Sequence, residues 1–179
     1  MKKVPSFSLI ILIAALFVAC GSPRKHAVDR ITILEKQLSA KSGKPDTAKV
    51  ETLALAYSDF VRQFPKDSLS PEYLLRAGGV LMNAGDAIKA IQSLDQITQK
   101  YNTSRQAPQA LFLLGFIYEN MLGNIGKAGE SYREFLTRYP KHDLADDAQA
   151  SLNNLGKTPE ELLREFEAKA AGLKEVVTK

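Results

Sequence analysis

The sequence predicts an all-α chain of about seven or eight helices, arranged as antiparallel pairs that repeat along the chain. Three observations carry this. Leucine and alanine dominate the apolar residues, β-branched runs are scarce, and no stretch reads as a strand. A short aromatic-ended segment recurs: Tyr57-Ser58-Asp59-Phe60-Val61-Arg62-Gln63-Phe64, then Leu94 to Tyr101, then Tyr132 to Tyr139. The closing aromatics Phe64, Tyr101 and Tyr139 stand 37 and 38 residues apart, a period that marks stacked helical repeats. Glycine, proline and aspartate then cut each period into two helices and two turns.

The elements follow in order. A first helix is expected over 27–41, ended by the loop Lys41-Ser42-Gly43-Lys44-Pro45. A second over 46–64 closes at Pro65, which cannot continue the hydrogen-bond ladder. Ser70 before Pro71 reads as a cap for 71–83, with proline at the first helical position. Gly85-Asp86 breaks that helix and caps 86–101, and helices over 106–121 and 125–139 follow, the latter closed by Pro140. Asp143, with Asp146 three residues on, caps 143–155. Thr158-Pro159-Glu160-Glu161 combines a cap, a first-position proline and a capping-box glutamate for 158–176. In that last helix Leu162, Phe166, Ala170, Leu173 and Val177 recur at helical spacing. It is expected to cap the open end of the repeats, with an interaction helix as the alternative.

Two units carry a finer pattern. One runs Leu111-x2-Leu114-Gly115-x2-Tyr118, then Ala128-x3-Tyr132, Phe135 and Pro140. The unit before it runs Leu74-x2-Ala77-Gly78-x2-Leu81, then Ala90-x3-Leu94 and Ile97, with Asn102 in place of the proline. Residues 27–65 make a degenerate first unit, and a half unit follows Pro140. These residues resemble the tetratricopeptide repeat (TPR). The resemblance implies a right-handed superhelix of helix pairs over residues 27–157, with 158–179 as the capping helix. Gly78 and Gly115, with Ala90 and Ala128 opposite, let the helices approach closely, and Tyr118 and Phe135 fill the seam.

The chain begins with Lys2 and Lys3, then a 13-residue run from Phe7 to Ala19 whose only polar member is Ser8. That run is short of the roughly 20 residues that cross a bilayer. It has the layout of a secretory signal. Its end, Phe17-Val18-Ala19-Cys20-Gly21-Ser22, resembles the lipobox of bacterial lipoproteins, with Phe17 where leucine is usual. A plain signal peptide fits the length but leaves the cysteine unexplained. The resemblance implies removal of residues 1–19 and acylation of Cys20, for example by palmitate. Two or three acyl chains anchor stably, each buried CH2 contributing about 0.8 kcal/mol. By the same resemblance, to lipoproteins of enterobacterial type, glycine rather than aspartate after Cys20 implies the outer membrane. Residues 20–26 read as the tether, and Pro23-Arg24-Lys25-His26 as a solvated basic patch or one laid on anionic lipid.

Little else suggests chemistry. Cys20 is the only cysteine, so internal disulfides and cysteine metal clusters are excluded. The formal charge of +4 drops to about +2 without Lys2 and Lys3, and no basic stripe suits nucleic acid. His26 and His142 stand outside metal-ligand spacings, and Asp146-Asp147 and Glu160-Glu161 sit where they complement helix dipoles. Neither Gly78-Gly79 nor Gly123-Asn124-Ile125-Gly126 leads into a phosphate-loop lysine. No enzyme, metal or cofactor is expected; a lipoprotein enzyme or small-ligand receptor is the remote alternative.

The TPR resemblance places a partner groove on the first helix of each pair. Counting from the small glycines, groove positions are Leu75, Gly79 and Met82, then Phe112, Phe116 and Glu119. Large apolar side chains there are either covered by a neighbouring helix or form an apolar groove for a partner peptide. A lipoprotein start with 37- to 38-residue repeats resembles BamD-like lipoproteins of the barrel-assembly machine, and the TPR part of YbgF (CpoB)-like partners of Tol–Pal. Both resemblances imply a non-catalytic scaffold for envelope proteins on the periplasmic side of the outer membrane.

Overall fold

The computed structural model describes residues 22–39 and 46–177, with side chains to Ala168. The signal region, Cys20 and the 41–45 loop lie outside the described residues. Eight helices are described: α1 (Pro23–Ser39), α2 (Thr47–Gln63), α3 (Ser70–Asn83), α4 (Ala87–Lys100), α5 (Ala107–Asn120), α6 (Ile125–Arg138), α7 (Ala145–Asn154) and α8 (Pro159–Val177). No described residue is in a strand. The chain divides into two compact units, meeting between Tyr73 and Leu74 within α3.

In the first unit α1 and α2 run antiparallel. Ile31, Val50, Leu53, Tyr57 and Phe60 are at most 2% exposed, and burying each such side chain contributes about 1.5–3 kcal/mol. The first turn of α3 closes the cluster: Tyr73 packs edge-on against Phe60 at 4.8 Å and beside Tyr57 at 5.3 Å. Helix α1 starts at Pro23, four residues before the expected position. Pro23–His26 is therefore a helical turn, still solvent-exposed, rather than part of a tether. Ser22 caps this start locally, its hydroxyl accepting from Lys25 N at 3.3 Å, and the Arg24 guanidinium clasps the Asp67 carboxylate, with Nη2 at 3.0 Å from Oδ1.

The second unit repeats one packing device. An ideal Cβ on Gly78 would stand 2.7 Å from Leu94 Cδ2, and one on Gly115 would stand 2.6 Å from Tyr132 Cε1. The glycines are small because a side chain of the partner helix fills the space of the missing methyl. Ala90, Ala128 and Phe135 are fully buried in the same seams, as the repeat pattern requires.

The turns repeat as well. Gly85 (φ 89°) and Gly123 (φ 60°) take left-handed conformations. Asp86 and Asn124 then cap α4 and α6, accepting from Lys89 N at 3.0 Å and Lys127 N at 3.1 Å. Between repeats, the amides of Asp67, Ser104 and His142 donate to the carbonyls of Phe64, Tyr101 and Tyr139. The side chain at this place decides the local cap. Asp67 Oδ1 accepts from Leu69 N at 2.9 Å and His142 Nδ1 from Leu144 N at 3.1 Å, whereas the buried Ser104 Oγ has no hydrogen-bond partner.

Two expected caps differ. The fully buried Ser70 turns its hydroxyl back to donate to Phe64 O at 2.7 Å, leaving Asp67 to serve the start of α3. Asp143 does not cap α7, which starts two residues later, after the His142 contact. The capping box at α8 forms as expected: Glu161 N donates to Thr158 Oγ1 at 3.2 Å, and Thr158 N to Glu161 Oε2 at 2.8 Å.

The expected covering role of α8 is not seen in its described side chains. Gly156 (φ 79°) redirects the chain, Lys157 pairs with Glu165 at 2.7 Å, and of the expected stripe Leu162 is half-buried while Phe166 ends 72% exposed, as does Leu163 beside it at 58%.

Candidate functional site

The repeat period makes Tyr57, Leu94 and Tyr132 equivalent, each seven residues before its closing aromatic. It also makes Met82 and Glu119, 37 residues apart, equivalent on the first helix of their pairs, while Glu35 lies on α1, the helix paired with that of Tyr57. The structure pairs the two sets. Tyr57 Oη donates to Glu35 Oε1 at 2.7 Å, and Tyr132 Oη donates to Glu119 Oε2 at 2.8 Å. Where the tyrosine is replaced by Leu94, the glutamate is replaced by Met82, which is half-buried. A buried phenol needs an acceptor, and a leucine needs none. Tyr132 is fully buried; desolvation, then the Glu119 bond, push its phenol above the ordinary range, with Ser151 opposing.

This pairing corrects the expected groove. Glu119 faces the tyrosine of its own pair rather than an open surface. Phe112 belongs to the same seam, with its ring 5.8 Å from Tyr132 and 6.1 Å from Phe135. Leu75 and Met82 are half-buried.

What stays accessible on that face is the position one after each glycine. Phe116 is 40% exposed, and a Cβ on Gly79 would meet nothing within 4 Å. Tyr118 is half-buried rather than deep in the seam, with Lys127 Nζ 5.1 Å from its ring centre. Pro140 is exposed and follows the α6 cap residue Tyr139, which is its expected punctuating role.

A second apolar surface was missed from sequence. An open depression of about 480 Å³ lies between the turn Ala84–Ile88 and Met121-Leu122. Ile88 and Leu122 on it, and Ile125 after it in sequence, are 58%, 42% and 42% exposed. Its signal was available: apolar residues flank both Gly85-Asp86 and Gly123-Asn124, where polar turn residues are the norm.

Among the described residues, no group of three His, Cys, Asp or Glu could hold a metal, and no helix is long and apolar enough to cross a membrane. A sequence-family model for the tetratricopeptide repeat matches residues 109–142, which span α5, α6 and the following turn. The chain contains a tetratricopeptide repeat. The glycine-to-tyrosine seam between Gly115 and Tyr132 is the core of that repeat. Such a repeat in an all-helical chain points to a protein–protein interaction scaffold. A comparison with curated proteins finds no match.

Proposed function

We propose that this protein is a non-catalytic, lipid-anchored scaffold of the bacterial cell envelope, acylated at Cys20, held at the outer membrane and facing the periplasm. Its work is to hold envelope proteins together, with outer-membrane barrel assembly, the BamD-like role, as the leading process. The coordinating role beside Tol–Pal stands as the outcome that would displace it. The reading is carried by exposed Phe116 inside the matched repeat; the equivalent position on α3 is Gly79, with open space around it. An exposed large aromatic suits the apolar side chain of a partner peptide or helix. The signal-like start and Cys20-Gly21 support the anchor.

The test is recovery of partners from cells with wild-type and Phe116→Asp protein. The proposal expects the variant to keep its helical content and melting temperature and to lose barrel-assembly components. Equal recovery by both would remove Phe116 from the site. Recovery of Tol–Pal proteins instead would replace the process.

A further inference from the structure

Helix α8 is a second helix without a place in its own pair. Asp86, Asn124 and Thr158 each cap the second helix of a pair. Eight residues after these caps stand Leu94, Tyr132 and Phe166. Leu94 and Tyr132 are fully buried against Gly78 and Gly115, yet Phe166 is exposed. The first helix explains the difference: α7 carries exposed Asn153 at the place of the glycine, 38 residues after Gly115.

The apolar residues of α8 have a spacing of their own. Leu163, Phe166, Ala170, Leu173 and Val177 are three, four, three and four residues apart, the seam of a two-helix coiled coil. The two with described side chains, Leu163 and Phe166, are both exposed. Charges that flank such a seam set the partner and its direction. Here the flanking positions are Glu160, Glu167 and Lys174 on one side, and Leu162, Lys169 and Val176 on the other. The other charges of α8, Glu161, Arg164, Glu165 and Glu175, fall away from the seam; Glu161 serves the capping box and Glu165 pairs with Lys157.

We propose that α8 docks on α8 of a second copy of this chain, antiparallel, about a two-fold axis. The flanking charges choose this arrangement. With Phe166 set against Val177 and Ala170 against Leu173, position 167 of each copy meets position 174 of the other, glutamate to lysine, and Lys169 meets the apolar Val176. A slide of one heptad would bring Glu160 to Lys174, but also Glu167 to Glu167 and Lys169 to Lys169. A parallel pair would set Lys169 against Lys174. Like charges so placed oppose association. The two-fold arrangement makes every contact twice. Exposed ion pairs add little affinity, so they select the register while the apolar seam supplies the attraction. The contact needs neither the lipid anchor nor the Phe116 face.

The test uses the full chain in cells. Two differently tagged forms, Glu167→Cys and Lys174→Cys, are co-expressed and oxidised, and wild type, with Cys20 alone, sets the background. The disulfide between 167 of one copy and 174 of the other should exceed the 167–167 and 174–174 bonds several-fold. Sedimentation of the purified full chain in detergent gives a second reading. The dimer fraction should fall several-fold in Lys174→Glu and return when Glu167→Lys is added. It should vanish in Phe166→Asp at an unchanged melting temperature. Equal yields for all three disulfides, or a dimer indifferent to the charge exchange, would overturn the antiparallel pairing. A chain that stays monomeric at every concentration, or that forms disulfides only with other proteins, would overturn the second copy as the occupant.

Discussion

Replacing Gly115 by alanine asks the α5–α6 seam to hold one more methyl group. By helix propensity alone the change stabilises, by roughly 1 kcal/mol for glycine to alanine in a helix interior. The seam opposes it. The new Cβ would stand 2.6, 2.8 and 3.0 Å from three ring atoms of Tyr132, well inside the ~3.5–4.0 Å of an ordinary carbon contact. The ring has nowhere to retreat, being fully buried and tied at its hydroxyl to Glu119. Overpacking of this kind costs about 1–3 kcal/mol, so Gly115→Ala should lose roughly 1 kcal/mol net. Gly79→Ala supplies the control, because its Cβ meets nothing within 4 Å; it should gain up to about 1 kcal/mol. For a chain of this size each kcal/mol moves the melting temperature by about 2–4 °C. Circular dichroism of residues 22–179 should therefore place Gly79→Ala above wild type and Gly115→Ala below it. A Gly115→Ala protein as stable as wild type would refute the claim that Tyr132 occupies the glycine's missing side chain.

Three further outcomes are expected. Tyr132→Phe should cost about 1.5–3 kcal/mol by leaving Glu119 without its donor. Combining it with Glu119→Met should recover part of that loss in a double-mutant cycle, because Leu94 and Met82 already use the apolar version. Hydrogen bonding from Arg24 holds the Asp67 carboxyl below its ordinary value, aided by the Leu69 amide and opposed by burial. Its stabilising effect is therefore complete above about pH 3.8, the unfolded value, and fades as pH falls through the lowered folded one. Denaturant midpoints of the chain should drop across that acid window, and Asp67→Asn should flatten the drop. Phe116→Asp should shift the midpoint by no more than about 0.5 kcal/mol, the range of exposed substitutions; a large loss would mean that Phe116 is a packing residue.

Much of the fold was legible because repeats carry their signals more than once. The turns at Gly85-Asp86 and Gly123-Asn124 announce themselves by left-handed glycine and a capping side chain. Gly78 and Gly115 were readable as small for a packing reason, although the filling groups, Leu94 and Tyr132, are side chains rather than a closer backbone. The groove was read less well. Counting four residues from each glycine assumes that this position faces outward, whereas at Glu119 a tyrosine hydroxyl reaches it. The joint change from Tyr and Glu to Leu and Met was present in the sequence and would have revealed the pairing. The early start of α1 had a local signal, Ser22 before Pro23, whose hydroxyl accepts from Lys25 N at 3.3 Å; the contact of Arg24 with Asp67, 43 residues away, had none. The exposure of Phe166 escaped for a related reason: periodicity gives a helix an apolar stripe but does not say that a neighbour receives it.

The most direct measurement is photo-crosslinking in living cells from a reactive residue placed at position 116 of the full, acylated protein. The account predicts an adduct with a barrel-assembly component, lost when the partner is depleted. Adducts confined to this chain's own helices would mean that Phe116 packs internally, and would contradict the scaffold site proposed for this face.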